Sequence, residues 1–391
     1  MYRRGVIICS NPPFPEGDGG RTAIRQDIIS VLQRNPHIVW DVIVLWSEDV
    51  ITTANWLEKQ KNIHNYWIFD KPTFNPFNLL KAQPEHIARF LPTNTVKEVI
   101  NVLHKSNYHS IILNGIYSGA LVLWVDTSLR TRVIYRSHNI EYLLWQQILA
   151  SDVVTTFQVP FSLYALNEAR KYKKLEPTIW RHSNQIWSIG YHDLLMIRRE
   201  NESVKWLLPD LSHLGSLHRE DVNKFTPTAF LLTSYDWFPN KLGLLFWIKS
   251  IFPHISKRFS HWRFVIGGKG TEALYSFSQE NLEVKGWIDE PGEYFRDSFV
   301  FFVPVWISSG VRIKVIEALL HGKLIVSTFE GIKGLPLVKW KHYIPVDQSP
   351  QSWVDALRWI EIHREKAMEI ANKGRRFIMD IIANHSEPII G

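Results

Sequence analysis

Short β-branched and aromatic runs alternate along this chain with longer stretches of helical period, and that rhythm constrains the fold more than any other feature. In the first half the runs are Val6–Cys9, Val42–Trp46, Tyr66–Phe69, Ser110–Leu113, Arg132–Tyr135 and Gln185–Ile189. They resume as Phe230–Thr233, Arg263–Ile266, Leu282–Val284, Phe299–Val303 and Leu324–Ser327. Parallel strands need a crossover between them, usually a helix, so the alternation predicts βαβ units and an α/β class. Between the two series, residues 209–228 are polar and weakly periodic, with Pro209 and Pro227 near the ends. This predicts a Rossmann-like N-terminal domain over 1–208, a linker over 209–228, and a second Rossmann-like domain over 229–375. The segment 376–391 is expected to pack back on the first domain, and Ser352 to Ile382 to be helical.

The 391 residues suffice for two domains, and 45% hydrophobic with 21% charged residues is the balance of a soluble globular protein. No run nears the 18 apolar residues of a membrane span, and Met1-Tyr2-Arg3-Arg4 precedes only a short apolar run before Pro12 and Pro13. The expectation is a protein neither exported nor integral. Its single cysteine, Cys9, lies in an apolar run, which leaves no intrachain disulfide or thiolate metal site and predicts a cytoplasmic location. A net charge of +7 suits a phosphorylated substrate or an anionic membrane surface. Nucleic acid is not expected, because the basic residues are dispersed and no binding signature appears. The densest basic run, Arg170-Lys171-Tyr172-Lys173-Lys174, fits a solvated helix face or peripheral contact with anionic lipid at the inner face of a membrane. Of the 17 tryptophans, Trp40, Trp46, Trp187 and Trp262 lie in apolar runs and are expected in the core.

Ligands of open parallel sheets bind beyond the carboxyl ends of the strands. Three loops there carry signals. Asn11 to Gly20 ends in Gly19-Gly20 at a helix start, where phosphate can approach, although a plain turn accounts for the glycines equally. Arg136-Ser137-His138-Asn139-Ile140-Glu141 places a histidine after a strand, with Asn139 as a possible N-cap. Ser309-Gly310-Val311-Arg312 opens a helix in which Lys314, Glu317 and His321 share a sector of roughly 60° while apolar residues cover the rest. That helix start, with Lys314, suits an anion; the same pattern also fits a Lys314–Glu317 ion pair on a partly exposed helix. Lys241, after the Ser234 to Asn240 loop, is a further phosphate candidate, and the glycines of Gly267-Gly268-Lys269-Gly270 serve either a turn or a ligand. There is no HExxH motif, no clustered carboxylate site and no GxSxG elbow, so no metal or other cofactor is expected.

With these segments in order, the chain resembles the family 4 retaining glycosyltransferases of the GT-B fold. The resemblance rests on Gly19-Gly20, the Arg136 to Glu141 segment, the Ser234 to Asn240 loop, Val284-Lys285-Gly286-Trp287-Ile288-Asp289, and the segment from Ser309, similar to the branch written G-x-R-x-K-x-x-E-A. It implies two doubly wound domains facing across a cleft, with no metal. His138 would contact the donor sugar, Gly19-Gly20 would approach the diphosphate, and Lys241, Arg312 and Lys314 would balance it. Ser234, Ser309, Gly310 and Val311 would line the donor, Glu317 would accept from the ribose, and the backbone around Ile288 would pair with the base. Asp18, Arg21 and Glu141 are expected on the acceptor side. The implied partners are a nucleotide-sugar donor and a glycan or lipid-linked acceptor, as in bacterial polysaccharide synthesis. Ser309 departs from the pattern, since many members carry a glutamate there, and Ser234-Tyr235 replaces a frequent arginine. A sugar-nucleotide epimerase of the same fold and a non-catalytic partner subunit remain open alternatives.

Overall fold

The computed structural model describes residues 3–15, 19–125, 131–151, 159–211 and 225–384. They form two compact units, one ending at Leu211 and the other running from Phe225 to Asn384.

The first unit is built on β1 (Arg3–Cys9), β2 (Ile38–Ser47), β3 (Ile63–Asp70), β4 (Ser110–Asn114), β5 (Arg132–Ser137), β6 (Gln185–Ser188) and β7 (Val204–Trp206). They make one sheet in the order β3-β2-β1-β4-β5-β6-β7, with every pair parallel. β1 shows why both faces must be covered: Val6, Ile7, Ile8 and Cys9 are all buried. Val6 and Ile8 join one core cluster and Ile7 and Cys9 another, as the two-residue period of a strand requires. Burial also raises the Cys9 thiol well above its ordinary pKa, so it is inert.

The second unit contains β8 (Thr228–Leu232), β9 (Arg263–Gly267), β10 (Leu282–Val284), β11 (Val300–Val303), β12 (Leu324–Ser327) and β13 (Ile344–Pro345). Their order is β10-β9-β8-β11-β12-β13, again all parallel. In each sheet the order reverses beside the first strand, at β1/β4 and at β8/β11. Such a switch point leaves room for a ligand beyond the strand ends.

β7 and β13 were not anticipated. They are edge strands of three and two residues, too short to show a period. The C-terminal helical region is two helices, Pro350–Ile362 and Arg364–Asn384, parted at His363. Residues 376–384 continue the second of these inside the second unit, and 385–391 lie outside the described residues, as do Asp18 and most of the expected linker. Trp40, Trp46, Trp187 and Trp262 are buried in the two cores as expected. Among the described residues, no helix is long and apolar enough to cross a membrane.

Candidate functional site

The candidate residues from Ser309 to Glu317 lie where β11 ends. The chain leaves Val303, turns at Gly310 with a φ of 70° that disfavours any side chain, and enters the helix Ile313–Leu320. The Arg312 side chain does not cap this helix, so it leaves the helix's first N–H groups unanswered. Val315, Ile316, Ala318, Leu319 and Leu320 are buried, while Lys314, Glu317 and His321 form the half-buried stripe that the periodicity predicts.

A second loop, after β12, braces the first. Ser308 donates from Oγ to the Glu330 carbonyl at 2.7 Å, and Arg312 donates from Nη1 to the same oxygen at 3.2 Å. Thr328 donates to the Val305 carbonyl. Gly334 packs directly on the turn, where a Cβ would lie 2.4 Å from the Gly310 oxygen. Nη2 of Arg312, by contrast, is shut off from solvent and has no hydrogen-bond partner among the described residues. Leaving such a donor unmet costs on the order of 1–3 kcal/mol unless a ligand answers it. Burial lowers the Arg312 pKa to about 10, against the raising pull of Glu330, so the guanidinium stays charged at neutral pH.

Lys314 and Glu317 are not ion-paired: among the described residues no carboxylate oxygen lies within 4 Å of the lysine nitrogen. The simple i,i+3 pair is therefore not made. Burial lowers the Lys314 pKa and lifts Glu317 to about 7, with Lys314 pulling the carboxyl back down. Two desolvated cations thus sit beside one reluctant carboxylate, an arrangement that favours an incoming anion.

One neighbouring helix packs on this loop, and the other candidate residues belong to the loops after β8, β9 and β10. A Cβ at Gly243, in the helix Phe238–Phe246, would lie 2.3 Å from the Pro304 oxygen, so this helix packs against the β11 loop. Lys241 projects from it with its amine 5.2 Å from the centre of the Tyr235 ring. Ser234 is the loop's anchor, its carbonyl accepting from Asn240 Nδ2 at 3.1 Å. The Gly267 to Gly270 glycines serve that loop: Cβ atoms at 268 and 270 would lie 2.0 Å from the Thr233 oxygen and 2.5 Å from Asp236. Ile288 seats on Gly267, and among the described residues its peptide N–H and C=O take no hydrogen bond. Ser309 is half-buried between Ser308 and the turn.

In the first unit the strand ends hold a buried charge network. Arg136, at the end of β5, binds Asp27 with two hydrogen bonds, Nε to Oδ2 at 3.0 Å and Nη2 to Oδ1 at 2.8 Å. Its Nη1 donates to the Leu207 carbonyl at 2.7 Å. Asn114, closing β4, gives its amide to Asp27 Oδ2 at 3.2 Å, so its Oδ1 is left to accept from His138 Nε2 at 2.6 Å. That assignment puts the His138 proton on Nε2 and fixes the ring. Burial pushes Asp27 up, but the Arg136 charge and the His138 bond outweigh it and hold the carboxyl below its usual range.

Gly19 and Gly20 open the helix Gly19–Arg34, and among the described residues nothing lies within 4 Å of a Cβ at Gly19. Among the described residues, packing does not demand that glycine. Arg21 is tied back by a salt bridge to Glu48 and lies over the Trp46 ring. Glu141 starts the helix Glu141–Ala150, and burial lifts its carboxyl to about 6 against the Asn139 hydrogen bond. Asn139 is not the N-cap. Ile140 holds that position, and the first N–H groups, of Glu141 and Tyr142, donate to the buried Glu176 carboxylate at 2.8 and 2.9 Å. Burial pushes the Glu176 carboxyl well above its usual range, against the pull of these two bonds, so it is the paired oxygens brought from a distant helix, not the local amide, that answer the helix start.

Asp27 and Asn114 were missed from the sequence. One signal was available for Asp27, a carboxylate aligned with Ile24, Ile28 and Val31 on the apolar face of its helix, where only a buried pair makes it tolerable.

The family model described as Glycosyl transferases group 1 matches residues 227–360, within the second unit. Over 355 residues the chain is 22% identical to an uncharacterised 44.6 kDa protein in the cps region of Klebsiella pneumoniae, covering 84% of each. Among solved structures, HepE of Anabaena in complex with UDP and glucose aligns with a TM-score of 0.62 at 12% identity, over 98% of this chain and 96% of that one. A sucrose-phosphate synthase from Thermosynechococcus elongatus aligns with a TM-score of 0.66 at 12% identity, over 98% and 96%. The fold is that of GT-B glycosyltransferases.

Proposed function

We propose that this protein is a retaining glycosyltransferase that moves a sugar from a nucleoside diphosphate sugar to a hydroxyl acceptor, in the building of a surface polysaccharide or another glycan. The observation that carries the reading is Nη2 of Arg312, buried, charged and unanswered, beside Lys314 at the start of the helix Ile313–Leu320. Charge of this kind meets a diphosphate, and fixed cations matter most where negative charge develops as the glycosidic bond breaks. In this reading the bond from the sugar's reacting carbon to the diphosphate oxygen breaks, its electron pair stays with phosphate, and the acceptor hydroxyl attacks from the same face. The hydroxyl proton passes to the departing phosphate.

Arg312, Lys314 and Lys241 take the place of a metal in balancing that charge. Gly19 and Gly20 leave room for the diphosphate, Glu317 accepts from the ribose, and Ile288 offers free peptide groups to the base. His138, its ring fixed by Asn114, positions the sugar. Further support comes from the glycosyl transferase match at residues 227–360, from UDP and glucose in the Anabaena structure, and from the cps region named for the Klebsiella relative.

A panel of nucleotide sugars tests the proposal. One donor should raise the thermal midpoint and be hydrolysed slowly, and transfer from it should give a product of unchanged anomeric configuration by NMR. Stabilisation by none of them would remove the donor reading, and an inverted product would remove the retaining mechanism.

A further inference from the structure

The segment after β3 exposes more large apolar surface than its length explains. Phe74 is 57% exposed, Phe77 72% and Leu80 84%, within a turn that is otherwise firmly held. Asn75 caps the short 3-10 helix Pro76–Leu80 by accepting from the Phe77 N–H at 3.0 Å, and Asn78 is buried beneath it. In a 3-10 helix, residues three apart eclipse, so Phe77 and Leu80 share one outward face. This is a pinned turn presenting hydrophobes, and isolated exposed residues of this size do not ordinarily cluster so.

The turn is stitched to the helix Val159–His182. Lys171 donates its amine to the Leu79 carbonyl at 3.0 Å, and the Glu85 N–H donates to Glu168 at 2.8 Å. Lys171 thus spends its charge inside the fold, but its neighbours do not. At 100° per residue, Leu163, Arg170 and Lys174 fall within about 40° of one another on the stripe next to Lys171. Leu163 is 62% exposed, and Arg170, Lys174 and, on the turn, Lys81 are exposed as well. Exposed phenylalanine and leucine tips interleaved with cations are what the boundary of an anionic bilayer accepts: the rings enter the headgroup region while the cations stay with the phosphates.

We infer that this face of the first unit, Phe74, Phe77, Leu80 and Leu163 with Lys81, Arg170 and Lys174, docks on an anionic phospholipid surface. The inference goes beyond the proposed transferase activity and stands independently of it. It moves the point of contact from the basic run alone to the apolar turn beside it, which inserts.

The test uses the full chain with vesicles of phosphatidylcholine, with and without phosphatidylglycerol. Cosedimentation with the anionic vesicles is expected, and Phe74→Ser/Phe77→Ser/Leu80→Ser should lower partitioning at least tenfold. Arg170→Gln/Lys174→Gln should lower it by about fivefold per charge. Nucleotide-sugar binding, measured on the same samples, should not change. Because Cys9 is the single cysteine and is buried, Phe77→Cys carries a polarity-sensitive dye at one site. Its emission should shift to the blue on anionic vesicles. Wild-type protein indifferent to vesicles, a triple variant that sediments as well as wild type, or an unmoved dye would overturn the inference. So would a concentration-dependent dimer that the triple variant abolishes, since the face would then belong to a second copy.

Discussion

Both units hold arginine nitrogens shut off from solvent at the carboxyl end of a sheet, Arg136 as a wholly buried residue and half-buried Arg312 through Nη2, and they treat them oppositely. Arg136 has all its reachable donors answered by Asp27 and the Leu207 carbonyl, and the pair anchors Asn114 and through it His138. Among the described residues Arg312 hydrogen-bonds to one peptide carbonyl and keeps Nη2 unanswered, with Lys314, which makes no ion pair, beside it. A satisfied buried charge holds its surroundings in place; an unsatisfied one is held in place by its surroundings, in readiness for something else. Breaking the first leaves a buried charge stranded, whereas the second already carries an unmet donor, which is the expected signature of a binding group.

The comparison breaks most severely at His138, the one member of the satisfied network that reaches the surface. His138→Ala is expected to abolish transfer while leaving nucleotide affinity unchanged, as read by equilibrium binding; lost affinity in a folded variant would put the residue in the wrong role. Asp27→Ala comes next. It strands a buried guanidinium and should cost about 3–5 kcal/mol in denaturant titration. Arg312→Met, a matched change in the other unit, should leave the unliganded protein as stable or more so, and equal losses in the two variants would erase the distinction. Lys314→Ala should lower turnover on the order of a hundredfold, the scale of one preorganised charge-stabilising donor. Near-normal steady-state rates there would contradict the assignment.

The smallest effect concerns Glu317. Its folded pKa of about 7 lies above the ordinary carboxylate value. The folded state therefore holds the proton more tightly than the unfolded chain, and stability is lost as pH rises from about 4.5 to about 7. Glu317→Gln removes that loss, so without ligand it should be more stable than wild type at pH 8, by roughly 2 kcal/mol after screening, and equal to it at pH 4.5. Parallel melting curves of the two proteins across that range would remove the argument for a desolvated carboxylate.

What the sequence shows and hides follows from the range of each interaction. The strand series, the amphipathic stripe of Lys314, Glu317 and His321, and the buried tryptophans were legible because period and side-chain size are local properties. The partners that give the sites their character are not local. Arg136 meets Asp27 across 109 positions, His138 meets Asn114 across 24, and Glu176 caps a helix 35 positions before it. Asn139 was chosen as a cap because it is adjacent, and adjacency was the only evidence a sequence could offer. The outward turn of Phe74 to Leu80 was hidden for a related reason: apolar residues in a short loop read as core until the structure shows them exposed.

The shared acceptor at position 330 has one more consequence. Because Ser308 and Arg312 both hang on a main-chain oxygen, any residue there supplies the same hook, whatever its side chain. Exchanges at 330 can therefore retune the local field, by removing the carboxylate that pairs with Lys333 at 3.3 Å, without letting the guanidinium swing away. The position works as a dial for charge that is mechanically uncoupled from placement.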